Sequence, residues 1–503
     1  MTNRLEQRDY LIGGLIAAAA FACLYLPFLS KEFVKEGLFR AMPIETRHVN
    51  HLFPGNYLLY GPLGYLFHGI LRMMGIHLLA VVSLQLMDAL IGSFGLCVYF
   101  FIIRTIGGLR WEAVVWSLIL GTSLGYWLWS TEAENYIFST LLLQLNFLAL
   151  MVMVRDGRLR PVVLGLLHGL AMLGHIVNLL YAAVILWTIY KVEGPAWRRT
   201  ATRYLIAAGA SILLAYVGVI ILIKGFSSPI DAVHWFYGSA GATQGGVRFG
   251  GLPSLPKLAS WITMTGHIFV SFIPAYGVPA GWPGAPIVLW MAKAILAAAL
   301  FYGIIRLSAI YRENPVVAGA CFMWLAAYAL MFTHWEPWTM VYRVSDLVPL
   351  CTLLYVIMNY WTERWAVSRW LGPVLACSLM VGNLGAEIRP RSFETNNAEL
   401  QSVLKIKNMT KDGDWVLARG GLDEIYLPYF ADRRPILVDR YDAAQLREVV
   451  NRLLKSNQSI YLTGRTLVDP LWTAIASSYH LEPVSHDPVS EPLWRITHAG
   501  TPH

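Results

Sequence analysis

Long apolar runs separated by short clusters of arginine and lysine constrain this chain more than any motif in it. The runs fall near Tyr10–Leu29, Leu78–Ile103, Ala113–Ser130, Tyr136–Val154, Pro161–Gly174, Ile176–Tyr190, Tyr204–Lys224, Gly284–Ile305, Pro315–Thr333, Tyr342–Trp361 and Trp370–Ala386. Most approach the roughly 20 residues that a helix needs to cross a hydrocarbon layer. Backbone groups in that layer have no water to bond, so each run is expected to be helical. The stretch Pro161–Tyr190 is too long for one ordinary span, at roughly 30 residues. It is flanked by Arg155, Arg158 and Arg160 on one side and by Lys191, Arg198, Arg199 and Arg203 on the other. Two short helices turning near His175 would return both basic flanks to one side, for about eleven crossings.

A formal charge of +8 suggests nucleic acid as a partner until its distribution is read. Arg4/Arg8, Arg104/Arg110, Arg155–Arg160, Lys191–Arg203, Arg306/Arg312 and Arg364/Arg369 all fall on one side of the threading, as the positive-inside rule expects of cytoplasmic loops. Loops rich in Trp, Tyr, His and Gly fall on the other: Lys31–His77, Thr131–Asn135, Gly225–Pro283 and His334–Val341, with everything after Glu387. The composition agrees, with 56% hydrophobic residues against 14% charged and a mean hydropathy of +0.51. The first run follows MTNRLEQRDY with no small-residue cleavage site, so it reads as a retained anchor with a cytoplasmic N-terminus. Cys23, Cys97, Cys321, Cys351 and Cys377 lie inside apolar segments at irregular spacing, which argues against a disulfide framework or a thiolate metal site.

The last part of the chain changes character. From about Arg389 the long apolar runs stop. Asp414–Gly420, Pro435–Asp439 and Ser459–Gly464 read as short buried strands, and Ala443–Ser456 as an amphipathic helix with Leu446, Val449, Val450, Leu453 and Leu454 on one face. The expected architecture is therefore an α-helical polytopic membrane protein, residues 1–388, carrying a small C-terminal α/β domain, residues 389–503, outside the membrane.

Chemistry-bearing residues concentrate after the first apolar run. Between Lys31 and His68 lie Glu32, Glu36 and Glu45, surrounded by Lys31, Lys35, Arg40, Arg47, His48 and His51. Asn56–His68, punctuated by Gly61, Pro62 and Gly64, suits a helix lying along the interface better than a span. A carboxylate held there is placed to act as a general base toward a hydroxyl; solvation and pairing with neighbouring cations is the plainer use of the same residues. His175 and Asn178 mark the turn of the paired short helices, either lining a cavity or packed and hydrogen-bonded. Glu132 and Glu134 open a helix, where they position an acceptor or a metal, or simply favour its N-terminus. The glycine-rich stretch Gly238–Pro256 suits a mobile lid and lacks the context of a phosphate loop.

These segments, in this order, resemble the GT-C superfamily of integral-membrane glycosyltransferases, which use polyprenyl-phosphate sugars and include protein O-mannosyltransferases and aminoarabinose transferases. HLFPGNYLLYGPLGYLF (His51–Phe67, with Tyr60) is similar to a first-loop His/Pro-rich segment of these enzymes. TEAENYIFSTLLL (Thr131–Leu143), GLLHGLAMLGHIVNLLYA (Gly165–Ala182) and HWEPWTMVYRVSDLVPL (His334–Leu350) are similar to later segments. The resemblance covers about Tyr10 to Glu387. It implies an acidic general base in the first external loop, a lipid-linked donor in a groove, and basic residues on its phosphate. The family more often has Asp at the base position, and this loop has none; Glu36 matches best by position and Glu45 second. Arg343, in a loop with His334, Trp335 and Tyr342, is the expected phosphate ligand, with Arg248 and Lys257 in reserve, since arginine is permanently charged and grips two oxygens at once. His51, Tyr60, Glu132, Glu134, His175, Asn178 and His334 complete the expected substrate-binding set. A divalent cation beside the first-loop carboxylates is compatible with them, though no spacing demands one.

The expected activity is an inverting transfer of one sugar from a polyprenyl-phosphate carrier to a lipid, glycan or protein acceptor, on the outer face of a bacterial inner membrane. A ligase or polymerase of lipid-linked glycans is the alternative within the same chemistry. A transporter or flippase, or a scaffold with the tail as binding module, is the alternative outside it. Transporters typically carry internal repeats, and none is found here. No zinc motif, nucleophile elbow or dinucleotide fingerprint occurs.

Overall fold

The computed structural model describes residues 2–239, 254–271, 285–365, 369–421, 423–484 and 492–498. The chain forms two units. One comprises Met1–Ser30 and Pro43–Ser392, and the other Lys31–Met42 with Phe393–His503.

The first unit is helical. Its main elements are α1 (Thr2–Tyr25), α3 (Tyr60–Met73), α4 (Ala80–Thr105), α5 (Arg110–Thr122), α6 (Leu124–Thr131), α7 (Asn135–Arg155), α8 (Pro161–Gly174), α9 (Ala182–Glu193) and α10 (Trp197–Val219). They continue with α11 (Pro229–Ser239), α12 (Leu255–His267), α13 (Ala285–Glu313), α14 (Pro315–His334), α15 (Leu347–Thr362) and α16 (Leu371–Asn383). Helix α2 (Lys35–Glu45) begins in the second unit. Among the described residues, seven helices are long and apolar enough to cross a membrane, or eight if a bent pair is one span. Pro161–Gly174 and Ile12–Phe28 are shorter apolar helices.

The bent pair is α5 and α6, which meet at 66°. The run Ala113–Ser130 reads as one span in sequence, yet the helix breaks at Ser123. A break at that depth frees backbone groups that water cannot reach. Here the segment after α12 supplies them: Leu124 N donates to Phe269 O (3.1 Å) and Gly125 N to Ile268 O (2.7 Å). Asn383 Nδ2 donates to Thr122 O (2.9 Å) and to Phe269 O (2.8 Å), joining bend and segment to the end of α16.

The expected turn at His175 is present. α8 stops at Gly174, His175 is extended (φ −162°, ψ 126°), and the tight helical segment Ile176–Tyr181 leads into α9. α8 packs so closely on α10 that a Cβ on Gly165 would lie 2.6 Å from Tyr204 O, so only glycine fits.

In the second unit, β1 (Trp415–Ala418), β2 (Arg434–Leu437), β3 (Ile460–Thr463), β4 (Tyr479–Pro483) and β5 (Leu493–His498) form one sheet in the order β2-β1-β3-β5-β4. The first three are parallel, and β5 runs antiparallel to both β3 and β4. Helix Ala443–Lys455 places Leu446 and Val450 in a core with Leu417, Ile436, Ile460 and Leu462. Its first turn is closed by a reciprocal cap: Gln445 N donates to Asp442 Oδ1 (2.8 Å) and Asp442 N to Gln445 Oε1 (3.1 Å).

The unit also takes in a piece of the first loop that the sequence reading leaves with residues 1–388. Tyr426 OH donates to Phe33 O (2.6 Å), Asn397 Nδ2 donates to Lys31 O (2.6 Å), and Phe33 packs on Phe430 at 5.1 Å between ring centroids. Lys35 Nζ lies 2.8 Å from Glu424 Oε2, and Arg440 pairs with the other oxygen of that carboxylate.

Candidate functional site

The site starts from a carboxylate inside a greasy helix. Asp88, on the third turn of α4, is fully buried. Tyr60 OH donates to its Oδ2 at 2.6 Å, and the backbone N–H of Glu134 donates to the same oxygen at 3.0 Å. Its other oxygen is buried and has no hydrogen-bond partner among the described residues. One turn earlier on α4, Gln85 Nε2 donates to Ser30 O (2.7 Å), and Ser30 N donates to Thr131 O (3.1 Å). The end of α1, the end of α6 and the start of α7 are thereby tied to one stretch of α4. Glu132 and Glu134, on the extended link between α6 and α7, are 1% and 5% exposed. Buried carboxylates are rare unless compensated, and in membrane proteins they mark substrate or ion pathways.

Past Glu134 the chain turns into α7, and Tyr136 carries the wall onward. Its ring lies 5.3 Å from His175 and 5.6 Å from Tyr342. Tyr57 flanks His175 on another side, at 6.0 Å. Tyr342 stacks on Phe332 with centroids 5.3 Å apart and planes 5° from parallel.

Beside Tyr342 is Arg343, completely buried in the tight helical segment Val341–Asp346. Its guanidinium carbon lies 4.7 Å from the ring centre of Phe332 and 5.5 Å from that of Trp261 on α12. Its charge is met by Asp346, also fully buried, but loosely: Nη1 to Oδ2 is 3.4 Å, where charge-assisted bonds are usually about 2.7–2.9 Å. Nε and Nη2 have no partner among the described residues. Those two nitrogens form one edge of the guanidinium plane, the edge that grips two oxygens of a carboxylate or phosphate together. That geometry could receive two oxygens of an anion, which would also relieve the cost of leaving the buried donors unmet.

His267, the last residue of α12, has its pKa lowered by burial; Glu387 opposes the shift, while Arg391 and Lys293 add to it. Among the described residues, no three His, Cys, Asp or Glu side chains come together closely enough to hold a metal ion.

The expected site residues fall in several places. Tyr60, Glu132, Glu134, His175 and Arg343 belong to the wall just described. Asn178 is buried at a structural knot: its amide donates to Ser139 Oγ (2.9 Å) and Ala171 O (2.8 Å), and its oxygen accepts from Tyr328 OH (3.0 Å). Both amide hydrogens are thus committed to joining α7, α8 and α14. Glu45 caps α4, accepting from Ala80 N at 2.6 Å. Glu36 is exposed on the first turn of α2, within the second unit. His51 is exposed, edge-on to His48 at 6.1 Å. Lys257 is half-buried on α12, and His334 ends α14. Arg248 lies outside the described residues, as does most of the glycine-rich stretch, residues 240–253.

Asp88 and Asp346 are absent from the sequence reading. Each had a signal: Asp88 is the lone carboxylate of an apolar helix, and Asp346 follows Arg343 by three residues, one helical turn.

No family model and no curated protein sequence matches the chain. Solved structures do. ArnT from Cupriavidus metallidurans in the apo state superposes with a TM-score of 0.59 at 12% identity, covering 97% of this chain and 98% of that one. The same protein bound to undecaprenyl phosphate gives 0.56 at 12% identity, over 96% and 97%. The Archaeoglobus fulgidus oligosaccharyltransferase tethered with an acceptor peptide gives 0.54 at 12% identity, over 98% of this chain and 74% of that one.

Proposed function

We propose that this chain, which has the GT-C fold of those proteins, is a multi-pass membrane glycosyltransferase that moves a sugar from a polyprenyl-phosphate carrier to an acceptor hydroxyl or amine. The observation that carries the reading is Arg343: a desolvated guanidinium with an open two-nitrogen edge, linked through Tyr342 and Tyr136 to the chain segment that bears the buried Glu132 and Glu134. The relative bound to undecaprenyl phosphate supports a lipid phosphate as the anion, and the relative tethered with an acceptor peptide supports an acceptor on the same fold.

The chemistry needs little else. The bond between the sugar's anomeric carbon and the phosphate oxygen breaks, and the electron pair leaves with the polyprenyl phosphate. The acceptor oxygen or nitrogen forms the new bond from the opposite face, inverting the centre, and its proton passes to a carboxylate. Arg343 stabilises the charge growing on the departing phosphate, and the low dielectric around it strengthens that contact. Asp346 offsets the guanidinium charge and orients it. Glu132 or Glu134 supplies the base, on a segment held by Asp88 through the backbone N–H of Glu134, with Tyr60 fixing Asp88 in turn. Glu36 is the other candidate base, on the first turn of α2.

The basic loops and the aromatic loops support an orientation with the N-terminus cytoplasmic, the site at the outer face of a bacterial inner membrane, and the C-terminal domain periplasmic. The test is a transfer assay in liposomes with a panel of radiolabelled polyprenyl-phosphate sugars and a membrane extract as acceptor source. Release of free polyprenyl phosphate by the wild type, abolished in Glu132→Gln or Glu134→Gln and retained in Glu36→Gln, is the expected result. Abolition by Glu36→Gln alone moves the base to the first loop. Consumption of no donor by the wild type refutes the reading.

A further inference from the structure

The α13–α14 hairpin carries a groove that the transfer chemistry does not use. It is an open cavity of about 410 Å³ lined by Leu307, Ser308, Tyr311, Arg312 and Phe322. α13 ends at Glu313 and α14 begins at Pro315, so one residue turns the chain back. Tyr311 and Arg312 stand at the hairpin tip, and Ser308 lies one helical turn further along α13 from Arg312. Leu307 on α13 and Phe322 on α14 lie deeper, each about 10 Å from the turn at 1.5 Å per residue. Both helices pass as membrane spans. The groove is therefore polar and cationic where the spans end, and apolar where they run into hydrocarbon. Leu307 and Phe322 are 45% and 39% exposed, so the apolar walls face outward.

The charge at the mouth is unmatched. Arg312 is exposed, its Nε donates to Ser308 O at 3.3 Å within its own helix, and no carboxylate lies within ion-pair distance of it among the described residues. The adjacent Glu313 pairs instead with Arg364, at 3.6 Å.

We propose that this groove is a binding site for an anionic phospholipid, with the phosphate headgroup on Arg312, the hydroxyls of Ser308 and Tyr311 beside it, and an acyl chain along Leu307 and Phe322. The polarity of the groove matches that of a phospholipid end to end, and basic pockets between spans at a membrane surface are suited to acidic headgroups. A zwitterionic lipid fills the same apolar trough but leaves the guanidinium charge uncompensated.

The test uses the full chain purified in detergent and titrated with phosphatidylglycerol or phosphatidylcholine under native mass spectrometry. The wild type is expected to retain phosphatidylglycerol more tightly. Arg312→Gln is expected to lose about five-fold in phosphatidylglycerol affinity, the worth of one basic residue at a membrane surface, and to keep its phosphatidylcholine affinity. Arg306→Gln makes the same charge change elsewhere on α13 and is expected to keep the selectivity; Arg312→Met also removes the charge and reads the same contrast should the glutamine variant fold poorly. Equal affinity of the wild type for both lipids, or unchanged selectivity in Arg312→Gln and Arg312→Met alike, overturns the proposal. So does displacement by soluble glycerol phosphate as effective as by the lipid, because the groove would then read the anion alone. Transfer activity is not a readout, so the outcome is separate from the proposed function.

Discussion

Replacing Arg343 by lysine keeps a positive charge at the same place but removes the flat two-nitrogen edge. If that edge holds two oxygens of the donor phosphate, lysine retains one charge-assisted bond and loses the other. A bond of that kind is worth roughly 1.5–3 kcal/mol, so kcat/KM is expected to fall about ten- to a hundred-fold. The ion pair beneath complicates the reading, because Arg343 and Asp346 are both 0% exposed and depend on each other for charge. Asp346→Asn strands the guanidinium and is expected to destabilise the protein by about 3–5 kcal/mol. Arg343→Gln combined with Asp346→Asn removes both charges and should recover most of that stability. Thermal unfolding in detergent, followed by tryptophan fluorescence, reports the stability of each variant; donor consumption in liposomes reports catalysis. The double variant is expected to unfold near the wild-type temperature and transfer nothing measurable. Activity that returns together with stability in the double variant would mean that the pair only holds the fold. Full activity in Arg343→Lys would mean that the open edge touches no substrate.

Tyr60→Phe removes the 2.6 Å bond to Asp88 and leaves Glu134 N–H as the remaining described donor; donor turnover should fall well before the unfolding temperature moves by more than a few degrees, and the reverse order would assign Tyr60 to packing. Glu45→Ala deletes the cap on Ala80 N–H and should cost about 1 kcal/mol of stability, while Glu45→Gln should transfer sugar at close to the wild-type rate; loss of turnover in a folded Glu45→Gln protein would restore it as a base. Gly61→Ala should abolish folded yield, since its Cβ would lie 2.1 Å from Leu52 O, and normal expression would show that the loop yields. Burial works against ionisation of Glu424, but the hydrogen bonds from Lys35 and Arg440 more than reverse it and leave its pKa lowered. The stabilisation it gives is therefore complete above the ordinary glutamate value of about 4.3 and lost as pH falls through the lower folded value. Hydrogen exchange across Lys31–Met42 should accelerate over that acid range in the wild type and not in Glu424→Gln; equal pH profiles would refute the coupling.

The apolar runs foretold most helices because spanning segments must be long, apolar and charge-bounded, and these properties are local. The turn at His175 was legible for the same reason: a run too long to cross once, with basic residues at both ends. The tail strands at Trp415–Ala418, Arg434–Leu437 and Ile460–Thr463 were legible as short β-branched and aliphatic runs. β4 and β5 were not, since Glu482, Pro483 and Arg495 interrupt them and their pairing supplies what their composition lacks. The α5–α6 break was equally hidden. Its freed backbone groups are met by Ile268, Phe269 and Asn383, far off in sequence, and no local pattern reports a partner that distant. Arg343 draws attention in the sequence by its surroundings of His, Trp and Tyr, and the structure buries it between the rings of Phe332 and Trp261. Asp88 was absorbed into a hydropathy average, although a single carboxylate in a long apolar helix is the more telling observation. Glu36 and Glu45 draw attention by lying in a charged loop; the structure leaves Glu36 exposed and sets Glu45 on the first N–H of α4, positions that sequence alone does not distinguish.

The route of the chain has a consequence for how such a protein can change over generations. Because Lys31–Met42 folds with Phe393–His503, the second unit is assembled from two distant stretches of gene. A descendant that sheds the tail by an early stop codon is left with Lys31–Met42 stripped of the residues it folds with. A chimera that exchanges the tail alone keeps a Lys31–Met42 segment matched to the tail it has lost. Recombination at the boundary after Ser392 is therefore expected to be tolerated only where the partner gene carries a compatible Lys31–Met42.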